Sequence, residues 1–182
     1  MSSFSNYKYV DSLSKKNKLL RALWGVVWTI LCRFTPKVGF NGWRLVILKM
    51  FGAKIGKGSI VLPTCRVWAP WNLEMGQYSV LGDNVDCYTM DKITIGSKVA
   101  ISQRAFLCTG THDITSFRRP LVTKPIVIED HVWVCAEAMV HPGITLSEGS
   151  VVAAKAVVTK DVNRFEVVAG NPAKFVKLRT LN

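Results

Sequence analysis

The stretch Ile128–Val158 reads IEDHVWVCAEAMVHPGITLSEGSVVAAKAVV, and in it an aliphatic residue returns at every sixth position: Ile128, Val134, Val140, Leu146, Val152 and Val158. With roughly a quarter of the chain Ile, Leu or Val, six hits in one register arise by chance only about once in several thousand. Four places after each stand Val132, Ala138, Ile144, Ser150, Ala156 and Val162, mostly small or β-branched. A helix gains nothing from period six, because its faces recur at about 3.6 residues per turn. A hairpin sheet repeats every two. Three short strands per coil of a parallel β-solenoid do fit, with one straight face per hexad, a turn, and the same residue class inside again.

The repeat continues upstream in offset blocks. Ile55, Val61, Val67 and Leu73 keep step; Met75, Leu81 and Cys87 run two places out of phase; Ile95, Ile101 and Leu107 follow after a second two-residue slip. Gly56, Gly76, Gly82 and Gly96 each follow an aliphatic residue, where a corner needs φ > 0 or close backbone approach. The rhythm stops after Leu107, and residues 111–125 read as a loop extruded from the solenoid, of the length that is usually functional or disordered. The expected organisation is an N-terminal apolar and basic segment over 1–52, a solenoid domain over 53–168 and a C-terminal tail over 169–182.

Composition narrows the function classes. The five cysteines show no CxxC spacing and sit where small residues are favoured, so small buried hydrophobes in a reducing compartment are expected. The first residues lack the order of a signal peptide, which makes the cytoplasm the expected location. A net charge of +12 attracts phosphates, anionic lipid or nucleic acid, but scattered basic residues without a binding motif argue against nucleic acid. The apolar run Ala22–Cys32 is too short to span a bilayer. It suits a helix capping the open end of the solenoid, continued by Trp43–Phe51, and its tryptophans and flanking cations over 15–51 also suit peripheral contact with the inner face of a membrane.

Several segments taken together resemble a known family: CTGTHD at Cys108–Asp113, PIVIEDHVWV at Pro125–Val134, HPGITLSEGSVVAAKAVVTKDV at His141–Val162 and AGNPAK at Ala169–Lys174. They are similar to the hexapeptide-repeat O-acetyltransferases. APWNLEMGQYSVLG at Ala69–Gly82 and DKITIG at Asp91–Gly96 are shared with the colanic acid biosynthesis acetyltransferase branch, and galactoside and maltose acetyltransferases are more distantly similar. The resemblance implies a single-stranded left-handed parallel β-helix, with its helical cap and extruded loop. It also implies a homotrimer and acetyl-CoA as acyl donor, bound between neighbouring subunits.

Acetyl transfer to a hydroxyl needs a base that titrates near working pH, and His112 in GTHD is the expected one. With donor and acceptor bound together no covalent intermediate is required, and the oxyanion needs a preorganised donor such as a backbone N–H in the next coil. Asp113 is placed to orient the ring or contact the acceptor. The resemblance assigns Trp133 and Ala136 to the VWV segment beside the pantetheine, Ala154 to the pantetheine arm, and Thr159 and Lys160 to the adenosine end. It sets Lys174 and Lys177 against the 3′-phosphate. Asn84, Asp86 and Asp91 in the polar run Gly82–Asp91 are the expected contacts to a carbohydrate acceptor. The asparagine-rich motif of the galactoside and maltose enzymes is not reproduced here, which points from a free disaccharide toward an exopolysaccharide, capsule or related glycan precursor. Arg118 and Arg119 in the loop suit a phosphate on the acceptor. Two rival readings stand beside this one. A zinc carbonic-anhydrase-like β-helix would use His112, His131 and His141, although the ten-residue spacing of the last two departs from that family and no metal is expected. A non-catalytic solenoid scaffold would use none of these residues.

Overall fold

The structure, a computed structural model, describes residues 13–181. Its body is a parallel β-solenoid whose short strands stack into three faces. The first face carries Lys54–Ile55, Leu73–Met75, Ile93–Ile95, Ile126–Ile128 and Thr145–Leu146. The second runs from Ile60–Val61 through Val80–Leu81, Ala100–Ile101 and Trp133–Val134 to Val151–Val152, and ends in Glu166–Ala169. The third carries Arg66–Val67, Asp86–Tyr88, Phe106–Cys108, Met139–Val140 and Val157–Val158. The residues of the hexad register point inward and are buried, so the period-six aliphatics form the core. Cys65 and Cys87 are buried in it, and all five cysteines are free thiols.

The phase slips have a simple geometry. Glu74 pairs with Thr94, giving the early coils 20 residues, whereas Val127 pairs with Thr145, giving the last full coil 18. The two extra residues sit at the corner between the third and first faces. There Pro70–Asn72 forms one 3₁₀ turn, and Leu73 and Met75 both turn inward. Gly56, Gly76, Gly82 and Gly96 serve close approach and not positive φ. A Cβ on Gly56 would lie 2.6 Å from the Gly76 carbonyl carbon, and one on Gly76 would lie 2.6 Å from that of Gly96. The left-handed non-glycine positions of the coils fall elsewhere on two corners, at Tyr78, Lys98, His131 and Phe165 on one and at Asn84, Arg104, Glu137 and Lys155 on the next.

The open edge of the first coil is closed by two helices. Helix α1, Lys15–Leu31, is capped by Ser14, whose side chain accepts from the Asn17 amide at 3.2 Å. It lays Trp24 and Trp28, one turn apart, on the solenoid. Helix α2, Asn41–Met50, buries Arg44, Ile47 and Leu48. Side chains replace the missing coil: Asn41 donates to the Ser59 carbonyl at 2.9 Å and accepts from the Val61 amide at 3.1 Å. Arg44 Nε donates to the Val61 carbonyl at 2.9 Å, and Trp24 Nε1 donates to the Val67 carbonyl at 2.7 Å. An unpaired strand edge is thus satisfied without another strand. At the other end the segment expected as a tail contributes a strand, Lys174–Leu178, antiparallel to Glu166–Ala169. Among the described residues no helix is long and apolar enough to cross a membrane.

Candidate active site

At the third-to-first corner, after Phe106–Cys108, the chain leaves the solenoid. It runs outward through Gly110–His112 and returns antiparallel through Leu121–Thr123, with His112 opposite Leu121. The stretch expected as a loop is therefore an ordered hairpin, and His112 stands on it and not on the last regular coil. Its root is fastened by the buried Thr109, whose hydroxyl donates to the Tyr88 carbonyl at 2.6 Å and accepts from the Asp91 amide at 2.9 Å. The Lys124 amide closes the root by donating to the Thr109 carbonyl at 3.0 Å.

His112 Nδ1 lies 2.7 Å from the carbonyl oxygen of Arg119 across the hairpin. A carbonyl only accepts, so this contact requires hydrogen on Nδ1 and leaves the Nε2 lone pair as the basic position. Asp113 does a different job from the one expected of it as ring orienter. Its Oδ1 accepts from the Thr115 amide at 2.8 Å and from the Thr115 hydroxyl at 2.6 Å, shaping the hairpin tip. Those two bonds hold its carboxyl below the usual range. The ring is positioned by a backbone carbonyl, which no side-chain pattern advertises.

The hairpin overhangs a cleft of about 380 Å³. Thr111, His112, Asp113, Ile114 and Val122 form its outer wall, with Lys124 at the root; His141, Pro142 and Thr159 from the following two coils form its floor. The structure thus joins His112, Asp113 and Thr159 with His141, which sequence had offered only to the zinc reading, and adds Lys124 to them. Lys160 follows Thr159 at the same corner, and Asp91 lies there too, its Oδ1 accepting from the Lys92 amide at 2.7 Å.

The remaining expected residues lie elsewhere on the prism. Asn84 sits on the second-to-third corner at φ +55°, a conformation asparagine tolerates, and lines a groove of about 810 Å³ there. Ala136 and Ala154 occupy the same corner in later coils, each just before a left-handed residue, Glu137 or Lys155. Trp133 lies on the outside of the second face, its indole donating to Ser102 Oγ at 3.0 Å, and Lys174 and Lys177 are on the C-terminal strand. Asp86 faces outward from the third face, between the two corners. Its Oδ1 is buried without a hydrogen-bond partner, and its Oδ2 is 3.6 Å from Arg66 Nη1. Burial pushes its carboxyl up, opposed more weakly by the Arg66 charge. Beside it Trp68, Tyr88 and Phe106 make an aromatic ladder, with ring centroids 5.6 and 6.2 Å apart.

Within one chain the histidines do not assemble the zinc constellation. His131 is on the first-to-second corner at φ +62°, away from His112 and His141. Among the described residues no group of three His, Cys, Asp or Glu side chains is disposed to hold a metal ion.

A hexad-repeat β-helix that extrudes a histidine-bearing hairpin over its own corner has the build of the hexapeptide-repeat proteins, and comparison with known proteins gives the activity class. The chain is 36% identical over 179 residues to the "Putative colanic acid biosynthesis acetyltransferase WcaF" of Escherichia coli (strain K12), covering 98% of each chain. Among solved structures it is similar to the hexapeptide-repeat acetyltransferase VCA0836 of Vibrio cholerae in complex with acetyl coenzyme A. That match has a TM-score of 0.82 and 26% identity, over 94% of this chain and 93% of that one. A maltose O-acetyltransferase from Clostridium difficile 630 shares the fold at a TM-score of 0.84 and 24% identity, over 92% of this chain and 90% of that one. No protein-family model matches. The chain belongs to the hexapeptide-repeat acetyltransferase family. It is an acyltransferase, built on the parallel β-solenoid that the repeat led one to expect; the left hand is what the resemblance implied.

Proposed function

We propose that the chain transfers the acetyl group of acetyl-CoA to a sugar hydroxyl of an exopolysaccharide, capsule or related glycan precursor, with His112 as general base. The observation that carries this reading is the His112 ring, held through Nδ1 by the Arg119 carbonyl and set over the cleft that Thr159 shares. The acceptor hydroxyl loses its proton to Nε2 as its oxygen attacks the thioester carbonyl carbon. The carbon–sulfur bond then breaks, and the departing thiolate takes the proton from the imidazolium, leaving CoA as the thiol. Both substrates are present together and no acyl-enzyme forms. The acetyl-CoA bound to the Vibrio cholerae relative and the colanic acid biosynthesis role named for the Escherichia coli relative support the donor and the acceptor class.

A homotrimer with sites between neighbouring copies accounts for the division of the candidate residues. One face is five or six residues wide, roughly 15–20 Å, so Ala136 and Ala154 stand a full face away from His112 in the same chain. A neighbour packed alongside brings its small-residue corner to the hairpin. There Ala136 and Ala154 make room for the pantetheine, Trp133 flanks it, and Thr159, Lys160, Lys174 and Lys177 meet the adenosine end and its phosphates. Asn84, Asp86 and Asp91 bind acceptor hydroxyls.

The test separates binding from chemistry. Acetyl-CoA at about a hundred times its dissociation constant stabilises a native protein by roughly 2.7 kcal/mol, so a clear thermal shift, smaller with dephospho-CoA, is expected. His112→Ala keeps that shift and lowers kcat by about 10²–10⁴-fold. A variant turning over at the wild-type rate removes His112 from the mechanism, and absence of any shift removes the donor.

A further inference from the structure

Helix α1 has two apolar stripes where a cap needs one. Trp24 and Trp28 pack on the solenoid. Leu19, Leu23, Val26 and Ile30, spaced i, i+4, i+7 and i+11, make a second stripe along another side, and each is between 51% and 72% exposed. Helix α2 repeats the arrangement: Arg44, Ile47 and Leu48 are buried, while Trp43, Val46 and Met50 at i, i+3 and i+7 are 46% to 75% exposed. The two stripes are joined, because Trp43 Nε1 donates to the Leu31 carbonyl at 2.9 Å. Phe34 and Val38, in the linker between the two helices, are also largely exposed to solvent. An apolar shelf this continuous on a water-soluble face marks a place where something docks.

Charge identifies the partner. From Leu13 to Met50 the chain carries eight Lys and Arg and no Asp or Glu; the next acid is Glu74. Lys15, Lys16, Arg33 and Lys49 are exposed around the shelf, and Arg44 is the one of the eight that is buried. We infer that the shelf docks on an anionic lipid surface, with α1 and α2 lying in its plane, their aliphatic stripes among the acyl chains and their cations at the headgroups. A cap-to-cap contact with a second copy would instead set these cations against identical ones, with no acid from either helix to offset them. The indole of Trp43 at the junction of the stripes suits the same interfacial level. One helix layer and three coils put the His112 hairpin roughly 25 Å from the lipid, clear of the surface. The inference does not depend on the acetyltransferase chemistry.

The experiment is co-sedimentation of the full chain with vesicles of phosphatidylcholine alone or mixed with phosphatidylglycerol, with oligomer size measured by light scattering. Binding to the mixed vesicles is expected to be about tenfold or more tighter than to phosphatidylcholine, and to weaken with added salt. The Leu23→Glu/Ile30→Glu variant changes only exposed positions, so its circular dichroism and acetyl-CoA thermal shift stay as in the wild type while vesicle binding falls about tenfold or more. The Lys15→Gln/Lys16→Gln/Arg33→Gln variant keeps the stripe and loses the preference for phosphatidylglycerol. Wild-type vesicle binding by the Leu23→Glu/Ile30→Glu variant overturns the inference. So does a wild-type protein that ignores both kinds of vesicle, and a smaller oligomer in that variant would then hand the shelf to a second copy.

Discussion

Replacing Arg44 by methionine keeps the aliphatic volume and removes every donor. In the native chain the guanidinium is fully buried and donates to the Val61 carbonyl at 2.9 Å, to Thr35 Oγ1 at 2.9 Å, to the Pro36 carbonyl at 2.9 Å and to the Lys37 carbonyl at 3.1 Å. None of these partners is a carboxylate, so the worth of the group lies in closing the first coil's edge and the α1–α2 linker. The Val61 carbonyl is the buried one, and leaving it without a donor costs about 1–3 kcal/mol. The three acceptors around the linker are partly exposed and regain water, at a loss of about 0.5–1.5 kcal/mol each. Relief of the buried charge's desolvation offsets part of this, leaving a net loss of about 3–5 kcal/mol. At about 2–4 °C per kcal/mol for a chain of this size, thermal unfolding at fixed protein concentration should move down by roughly 10 °C. Arg44→Lys offers one ammonium to two groups of acceptors and falls between. A methionine variant melting within about 2 °C of the wild type, or a lysine variant below it, would refute the edge-closing role.

A methyl group on Gly76 meets backbone, which cannot swing aside as a side chain can. Gly76→Ala is expected to lower stability by about 3 kcal/mol. Gly25→Ala in α1, where the new carbon meets nothing within 4 Å, should leave stability unchanged or slightly raised; equal melting of the two variants would contradict the close-approach argument. Asp86 is raised by burial, so the folded chain holds its proton more tightly than the unfolded chain does, and its contribution is lost as pH rises through the carboxylate range. Asp86→Asn should therefore melt above the wild type at neutral pH, with the gap closing in acid, while the Michaelis constant for the acceptor rises; a gap that widens on acidification reverses the sign and sinks the assignment. Lys160→Ala and Lys174→Ala should raise the Michaelis constant for acetyl-CoA more than they lower kcat, and a pure kcat loss would mean they do not hold the cofactor.

The hexads made the solenoid legible because a coil repeats its inward position without regard to what its outward residues do. Strict six-residue spacing is not needed at every turn for this to work: Leu73 and Met75 are both inward, and the pair read as a slip in phase is one corner with two extra residues. The helical cap was legible from the apolar run Ala22–Cys32, too short for a bilayer and set before a solenoid whose open edge needs cover. Its tryptophans Trp24 and Trp28, expected to suit a membrane surface, are instead buried on the solenoid. Its second, exposed stripe was not separable from the first in an unbroken apolar run, since hydropathy says that a residue is apolar and not which surface covers it. The hairpin was legible only as a gap. Nothing in residues 113–120 declares that Gly110 will pair with Thr123, a match that depends on how a surface loop closes on itself.

The same physics divides the site. A repeat tells at which corner a residue stands, so Ala136 and Ala154, one 18-residue coil apart, fall together from the register alone. It does not tell which coils become neighbours across an insertion. Phe106 is followed in the stack by Met139, 33 residues on, and only that pairing seats His141 beneath the hairpin that carries His112. The last unreadable element is the Arg119 carbonyl against Nδ1. Every residue owns such a group, so the atom that decides which nitrogen of His112 is basic leaves no trace in side-chain identity. A hairpin variant that displaces this carbonyl while keeping His112, such as deletion of Ser116 and Phe117 from the tip, should consequently lose turnover nearly as far as His112→Ala does, with the acetyl-CoA thermal shift retained. Full turnover in that variant would mean that the ring needs no partner to act.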